Sequence, residues 1–163
     1  MKRAMAAEYS RELSTKVFVG KCNLVKKGFR HGGLAGYGLR RMLVDERGAR
    51  KIELQQGQQK FLHTDRVILV PGPPEEVQNV RWIFDQFTIA KASPCSIANE
   101  LNASGIKNAN GRLWRPSAIR DLLSNEKYIG NNVFNRTSVK LKGRCVRNPP
   151  EYWIRAPGAF EPI

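Results

Sequence analysis

Cysteine is scarce in this 163-residue chain, and the three present form no pattern: Cys22, Cys95 and Cys145 are far apart and odd in number. No CxxC pair occurs, and the only histidines are His31 and His63. A tetrahedral zinc site draws its ligands from close-spaced pairs, so neither metal nor cofactor is expected and the thiols read as buried free cysteines. Long apolar runs are missing as well. None approaches about 18 residues, so no membrane-spanning helix is expected. The opening "MKRAMAAEYSREL" lacks the apolar segment of a secretory signal, and a cytoplasmic protein is expected. Acidic residues are short: 14 against 28 Lys and Arg, a net charge of +14.

That charge is unevenly spread. Residues 1–31 carry +6, residues 32–72 carry +3, residues 73–105 carry −2 and residues 106–163 carry +7. Two basic blocks around a near-neutral middle attract phosphate through long-range field and counterion release. No basic amphipathic helix with a Trp/Phe/Leu face is present, which argues against a membrane surface as the partner. The length suits one domain, or a small domain with an appendage, and the 41% hydrophobic content is enough for a core.

Along the chain, "RAMAAEYSRELSTKVFVGKCNLVKK" (3–27) predicts a helix with Met5, Tyr9, Leu13 and Val17 on one stripe and a bend near Gly20. "GFRHGGLAGYG" (28–38) holds five glycines and matches neither phosphate-loop pattern, GxxxxGK[ST] or GxGxxG; it reads as a flexible basic linker. Residues 39–70 read as antiparallel strands: "RRMLV" and "RKIELQ" around a "DERG" turn, then "KFLHT" and "RVILV". "PGPP" ends this sheet. Pro74 opens a helix to about residue 90, with Glu75 and Glu76 at its positive end and a core stripe of Val77, Val80, Ile83, Phe84 and Phe87. Ser93 caps a second helix, started by Pro94, buried through Ile97, Ala98 and Leu101, and ended by Gly105. "GIKNANGRLW" has hairpin character. Pro116 opens the last helix, to about residue 124, with Ile119, Leu122 and Leu123 inward and Ser117, Arg120, Asp121 and Ser124 outward; Asn125 closes it. "YIGNNVFNR" reads as a strand, and the proline- and aromatic-rich tail as extended chain.

Three short helices with a turn before the last describe a helix-turn-helix type of unit, whose last helix offers its first residues to the major groove. Arg115, Ser117 and Arg120 form the outward set, with Arg112 just before it. Arginine grips guanine or phosphate, while serine and helix-start N–H groups take phosphate. Trp114 reads as the core anchor of the preceding turn. The expected partner is double-stranded DNA. A stand-alone helix-turn-helix transcriptional regulator is the alternative. An RNA-binding protein ranks last, for want of the interleaved aromatics of an RRM.

The order "GGLAGYGL…EEVQNVRWIFDQF…SPCSIANELNASGIKNANGRLWRPSAIRDLLSNEKYIGNNVFNR" resembles the DNA-binding recombinase domain of the large serine recombinases, the phage integrases and transposon resolvases. The matching pieces are Ala35-Gly36-Tyr37-Gly38 (with Ala35 where the family has proline), Ile83-Phe84, Ile97, Ala98, Leu101, Asn102, Gly105-Ile106, Gly111, Trp114 and Asn125-x-x-Tyr128-x-Gly130. "AEYSRELSTKV" resembles the end of the long helix that leaves the family's catalytic domain. The resemblance covers about residues 28–135. It implies an α+β fold: antiparallel β-hairpins packed with a three-helix unit, preceded by a long helix.

The resemblance also implies a division of the chain: residues 1–28 as the end of that long helix, 29–38 as a glycine-rich linker following the minor groove, 39–137 as the DNA-binding domain, and 138–163 as an extended connector towards a further module. Lys26, Lys27, Arg30, His31, Gly32, Gly33, Tyr37, Arg112, Arg115, Ser117, Arg120 and Lys127 are the expected DNA contacts. None of the serines lies in the family's nucleophile motif, so no catalytic residue is expected in this stretch; it reads as a middle piece of a site-specific recombinase that moves mobile DNA. The parent would assemble as dimers and tetramers on DNA, with this stretch monomeric by itself.

Overall fold

The computed structural model describes the backbone of residues 2–60, 62–139 and 143–163, with side chains from residue 8 onward. The architecture is α+β, as expected. Helix α1 spans Lys2–Lys26 and runs unbroken through Gly20. A single helical glycine costs only about 1 kcal/mol against alanine, too little to bend a helix of this length. Tyr9, Leu13 and Val17 of the expected stripe are 69%, 50% and 47% exposed; Met5 falls outside the described side chains. Among the described side chains of the helix, those buried are Cys22 and Val25, near its end. There it meets strands β4 (Asn132–Phe134) and β7 (Ile154–Ala156), and Phe18 packs against Phe134 with ring centroids 5.8 Å apart.

Strands β1 (Leu39–Val44), β2 (Arg50–Leu54) and β3 (Arg66–Pro71) form an antiparallel sheet in the order β2-β1-β3. The expected strand "KFLHT" is absent from it, with Phe61 itself outside the described residues. Side chains occupy the carbonyls a ladder would need: Lys60 and Arg66 both donate to the His63 carbonyl, at 3.0 and 2.7 Å, and Arg66 reaches that of Thr64 at 2.8 Å.

Helices α2 (Pro74–Thr88), α3 (Pro94–Ala103) and α4 (Pro116–Leu123) each begin with proline at the first turn, where a missing N–H costs nothing. Ser93 caps α3 by accepting from the Ser96 N–H at 3.1 Å. Val80, Ile83, Ile97, Ala98, Leu101, Ile119 and Leu122 meet in one core with Leu39 and Leu69 of the sheet. Phe87, expected in this core, is 43% exposed. The buried positions of α2 stop at Ile83, with Phe84 half-buried, so the last turn runs past the core.

"GIKNANGRLW" makes a turn without flanking strands. Asn108 folds it locally, exchanging backbone bonds with Gly111 and Arg112 while its side-chain oxygen accepts from Asn110 and Arg112. Trp114 then enters the core, 5% exposed, edge-on to Tyr37 at 4.9 Å and 84°. Asn102 clamps its backbone in both directions, 2.8 Å to the N–H and 3.0 Å to the carbonyl. Truncating so buried an indole costs about 3–5 kcal/mol.

Ser124, not Asn125, ends α4; Asn125 instead caps the 3-10 turn Glu126–Ile129. The expected strand at "YIGNNVFNR" is therefore confined to β4, which pairs with β7. Strands β5 (Thr137–Val139) and β6 (Cys145–Arg147) form a separate two-stranded ribbon. The tail is extended at β7 but contains a 3-10 turn, Pro150–Tyr152, and folds back so that Phe160 joins the core. Of the cysteines expected to be buried, Cys22 is; Cys95 and Cys145 are exposed, one on the outer side of α3 and one on the ribbon, whose strand β6 is exposed throughout.

Candidate nucleic-acid interface

The glycine-rich segment is docked onto the domain at several points. The Arg30 N–H donates to the Val67 carbonyl on the open edge of β3 at 2.7 Å. Lys127 Nζ donates to the Ala35 carbonyl at 2.7 Å, and Tyr128 Oη to the Tyr37 carbonyl at 3.0 Å. At its far end, Glu76 Oε2 accepts from the Gly38 N–H at 3.0 Å while Arg40 grips the same carboxylate through two nitrogens, at 2.9 and 2.7 Å. Those hydrogen bonds from Arg40, more than anything else, hold the Glu76 carboxyl below its ordinary pKa. Gly38 has φ +76, and a Cβ there would lie 2.8 Å from Val80, so glycine is what lets the segment close onto α2.

The expected contact residues fall into three groups. Lys26, Lys27, Gly32 and Gly33 are exposed around the junction of α1 and the segment. Arg112, Arg115, Ser117 and Arg120 are exposed on and just before α4. The rest are engaged by the fold. Tyr37 is buried, its hydroxyl accepting from Asn79 at 3.0 Å. Lys127 braces Ala35, and burial brings its pKa from 10.5 down to about 8. His31 stacks edge-on against Phe134 at 4.3 Å, with burial and then the nearby Arg30 lowering its pKa.

Arg30 is half-buried. One terminal nitrogen donates to the Leu34 carbonyl at 3.1 Å, while its Nε is buried with no partner among the described residues. Burial, then repulsion from Arg41, lowers its pKa. Arg41, Lys60 and Arg66 line the same cleft as Arg30. Its one carboxylate, Asp65, is already paired with Lys51 at 2.6 Å. These three cations were missed in the sequence, where they sit on strand and loop positions with no motif around them.

On α4 the geometry is simple. Ile119 and Leu122 are buried, and Ser117, Arg120, Asp121 and Ser124 are all exposed on the other side. Arg115 occupies the N-cap in extended backbone, so its side chain stands at the positive end of the helix beside Ser117. Such a face donates hydrogen bonds and positive charge to a wide groove. Among the described residues, no group of three His, Cys, Asp or Glu side chains could hold a metal ion, and no helix is long and apolar enough to cross a membrane.

Residues 74–163, just over half of the chain, match the family model described as Recombinase. No curated protein and no solved structure matches the chain.

Proposed function

The chain belongs to the Recombinase family, with a role in site-specific recombination and DNA as its implied partner, and from that premise we propose that it binds attachment-site duplex DNA for a serine site-specific recombinase. The α4 face carries this reading: Arg115, Ser117 and Arg120 are exposed opposite a committed core face, at the end of a three-helix unit. Arg120 reads a base edge in the major groove, with Arg115, Ser117 and the helix start positioning the phosphate backbone. Lys26, Lys27 and the docked glycine-rich segment add contacts that are indifferent to sequence. The phosphoserine chemistry of strand exchange belongs to the catalytic domain of the parent enzyme, which acts as a dimer or tetramer on DNA.

The test is a pair of binding titrations on cognate and scrambled duplexes. Arg120→Ala is expected to cost about 1–3 kcal/mol on the cognate site and much less on scrambled DNA. Equal losses on both would reduce α4 to a phosphate clamp, and no loss on either would remove it from the interface.

A further inference from the structure

None of the expected DNA contacts lies beyond Lys127, yet the ribbon and tail build a second basic cluster. Three guanidinium groups gather on one indole. Arg155, Arg136 and Arg147 have their central carbons 4.9, 5.0 and 5.8 Å from the Trp153 ring centroid. Trp153 is itself fixed, its Nε1 donating to the Asn148 carbonyl at 2.8 Å. The Asn148 side chain grips Asn135 through its carbonyl and its amide oxygen, at 2.8 and 3.1 Å, and accepts from Ser138 at 3.0 Å. Asn135 adopts φ +64 and donates to the Tyr152 carbonyl at 2.9 Å. This amide network fastens tail to ribbon and orders the indole before any ligand arrives.

The three arginines differ in one respect. Glu126 takes Arg155 at 3.2 Å, while Arg136 and Arg147 have no acidic partner among the described residues. Both face a cleft shared with Asp121, Ser124 and Asn125 at the end of α4 and with Thr137 of the ribbon. Asp121 forms no ion pair with either, so the cleft keeps a net positive charge. Stacking on an aromatic face restrains a guanidinium while leaving its N–H edge free, which lowers the ordering cost of gripping an oxyanion. The Thr137 hydroxyl stands by as a further donor, while that of Ser124 donates to the Asp121 carbonyl at 3.4 Å.

We propose that Arg136 and Arg147, held on Trp153, clamp one backbone phosphodiester of duplex DNA beside the C-terminal end of α4. This rests on the DNA-binding reading above and adds a fixed point at the opposite end of the helix from Arg115. With one end anchored at Arg115 and the other at the clamp, the face bearing Arg120 is held in a single register on the duplex.

The experiment compares Arg136→Gln, Arg147→Gln and Arg155→Gln by duplex titration at several salt concentrations, with melting temperature and far-UV circular dichroism as folding controls. Arg136→Gln and Arg147→Gln are expected to weaken cognate and scrambled duplexes alike, roughly ten-fold, and to lower the salt slope by about one. Arg155→Gln, whose charge Glu126 already engages, is expected to leave the slope unchanged. Arg147 is exposed, so it tests the pair by itself should Arg136→Gln unfold the ribbon. Wild-type affinity in folded Arg147→Gln overturns the clamp and leaves the α4 reading standing. A loss for Arg155→Gln as large as the others also overturns it, showing a diffuse field and no defined site. Inorganic phosphate that binds the wild-type chain but not Arg147→Gln, while the two proteins hold the duplex equally at constant ionic strength, would assign the pair to a free anion and reject the proposal. Absence of duplex binding by the wild-type chain would reject both readings.

Discussion

Lys127 shows how little charge alone says about a residue. In sequence it is one more cation in a basic block; in the fold its ammonium is tied to a carbonyl 92 positions away. Burial, then Arg30 and Arg136, bring its pKa down to about 8. An unfolded lysine titrates near 10.4. Between those values the unfolded chain holds the proton and the folded chain releases it, so stability from this site rises with pH across that window. Below about 8 both states are charged, and the folded state carries the cost of the desolvated ammonium. The difference in unfolding free energy between wild type and Lys127→Gln is therefore expected to climb from pH 8 to pH 10.4, at no more than about 1.4 kcal/mol per unit. Partial exposure trims that slope. Tyr128, pushed up by burial, works in the opposite sense above about pH 10, but it is present in both proteins and cancels. Urea denaturation at four pH values measures the difference; a flat line would show that Lys127 is solvated and that Ala35 is not braced.

At the scale of elements, the closure of the tail depends on one tight approach. Gly130 has φ +88 and its added Cβ would sit 2.6 Å from the Phe160 carbonyl oxygen. The Phe160 N–H meanwhile donates to the Gly130 carbonyl at 2.9 Å, which brings Phe160 into the core. Gly105 has a similar φ, +74, with nothing near its Cβ position. Gly105→Ala is thus expected to cost about 1 kcal/mol in backbone strain alone, and Gly130→Ala about 2–4 kcal/mol because strain and backbone overlap act together. Chemical denaturation of the pair checks this, and equal costs would mean that the tail does not close on Gly130. The helices of the core were legible in the sequence because their signals are local: a proline at each first turn, a serine cap, apolar spacing at three and four. The β1–β2 hairpin was legible from its turn for the same reason. What the sequence concealed is settled at long range. "KFLHT" has strand composition, but Lys60 and Arg66 take its carbonyls. Phe87 keeps the helical period after the core beneath it has ended. The Trp153 cluster joins residues 136, 147, 153 and 155 through a ribbon and a tail, and no spacing announces it.

For the whole molecule, the distribution of charge decides what a partner feels. The acidic middle of the chain, residues 73–105, is the α2–α3 pair that builds the core, and its Glu76 is already spent on Arg40. The basic surface lies elsewhere: at the end of α1, in the cleft of Arg30, Arg41, Lys60 and Arg66, on α4, and on the ribbon. Fields from exposed charges decay within about 10 Å at 0.1 M salt, so only cations that touch the duplex release counterions. If these four patches supply roughly six phosphate contacts, the log–log salt slope is about −5, and affinity falls about 1,000-fold between 50 and 200 mM salt. Arg81, exposed on α2 within the acidic stretch, serves as the internal check. Arg81→Gln lowers the net charge as much as Arg120→Ala does, yet it is expected to leave both slope and affinity unchanged, whereas a purely diffuse attraction would register the two losses equally. Titrations of the three proteins on one duplex over that salt range separate a defined interface from mere basicity, and a wild-type slope near zero would remove DNA as the partner of this surface.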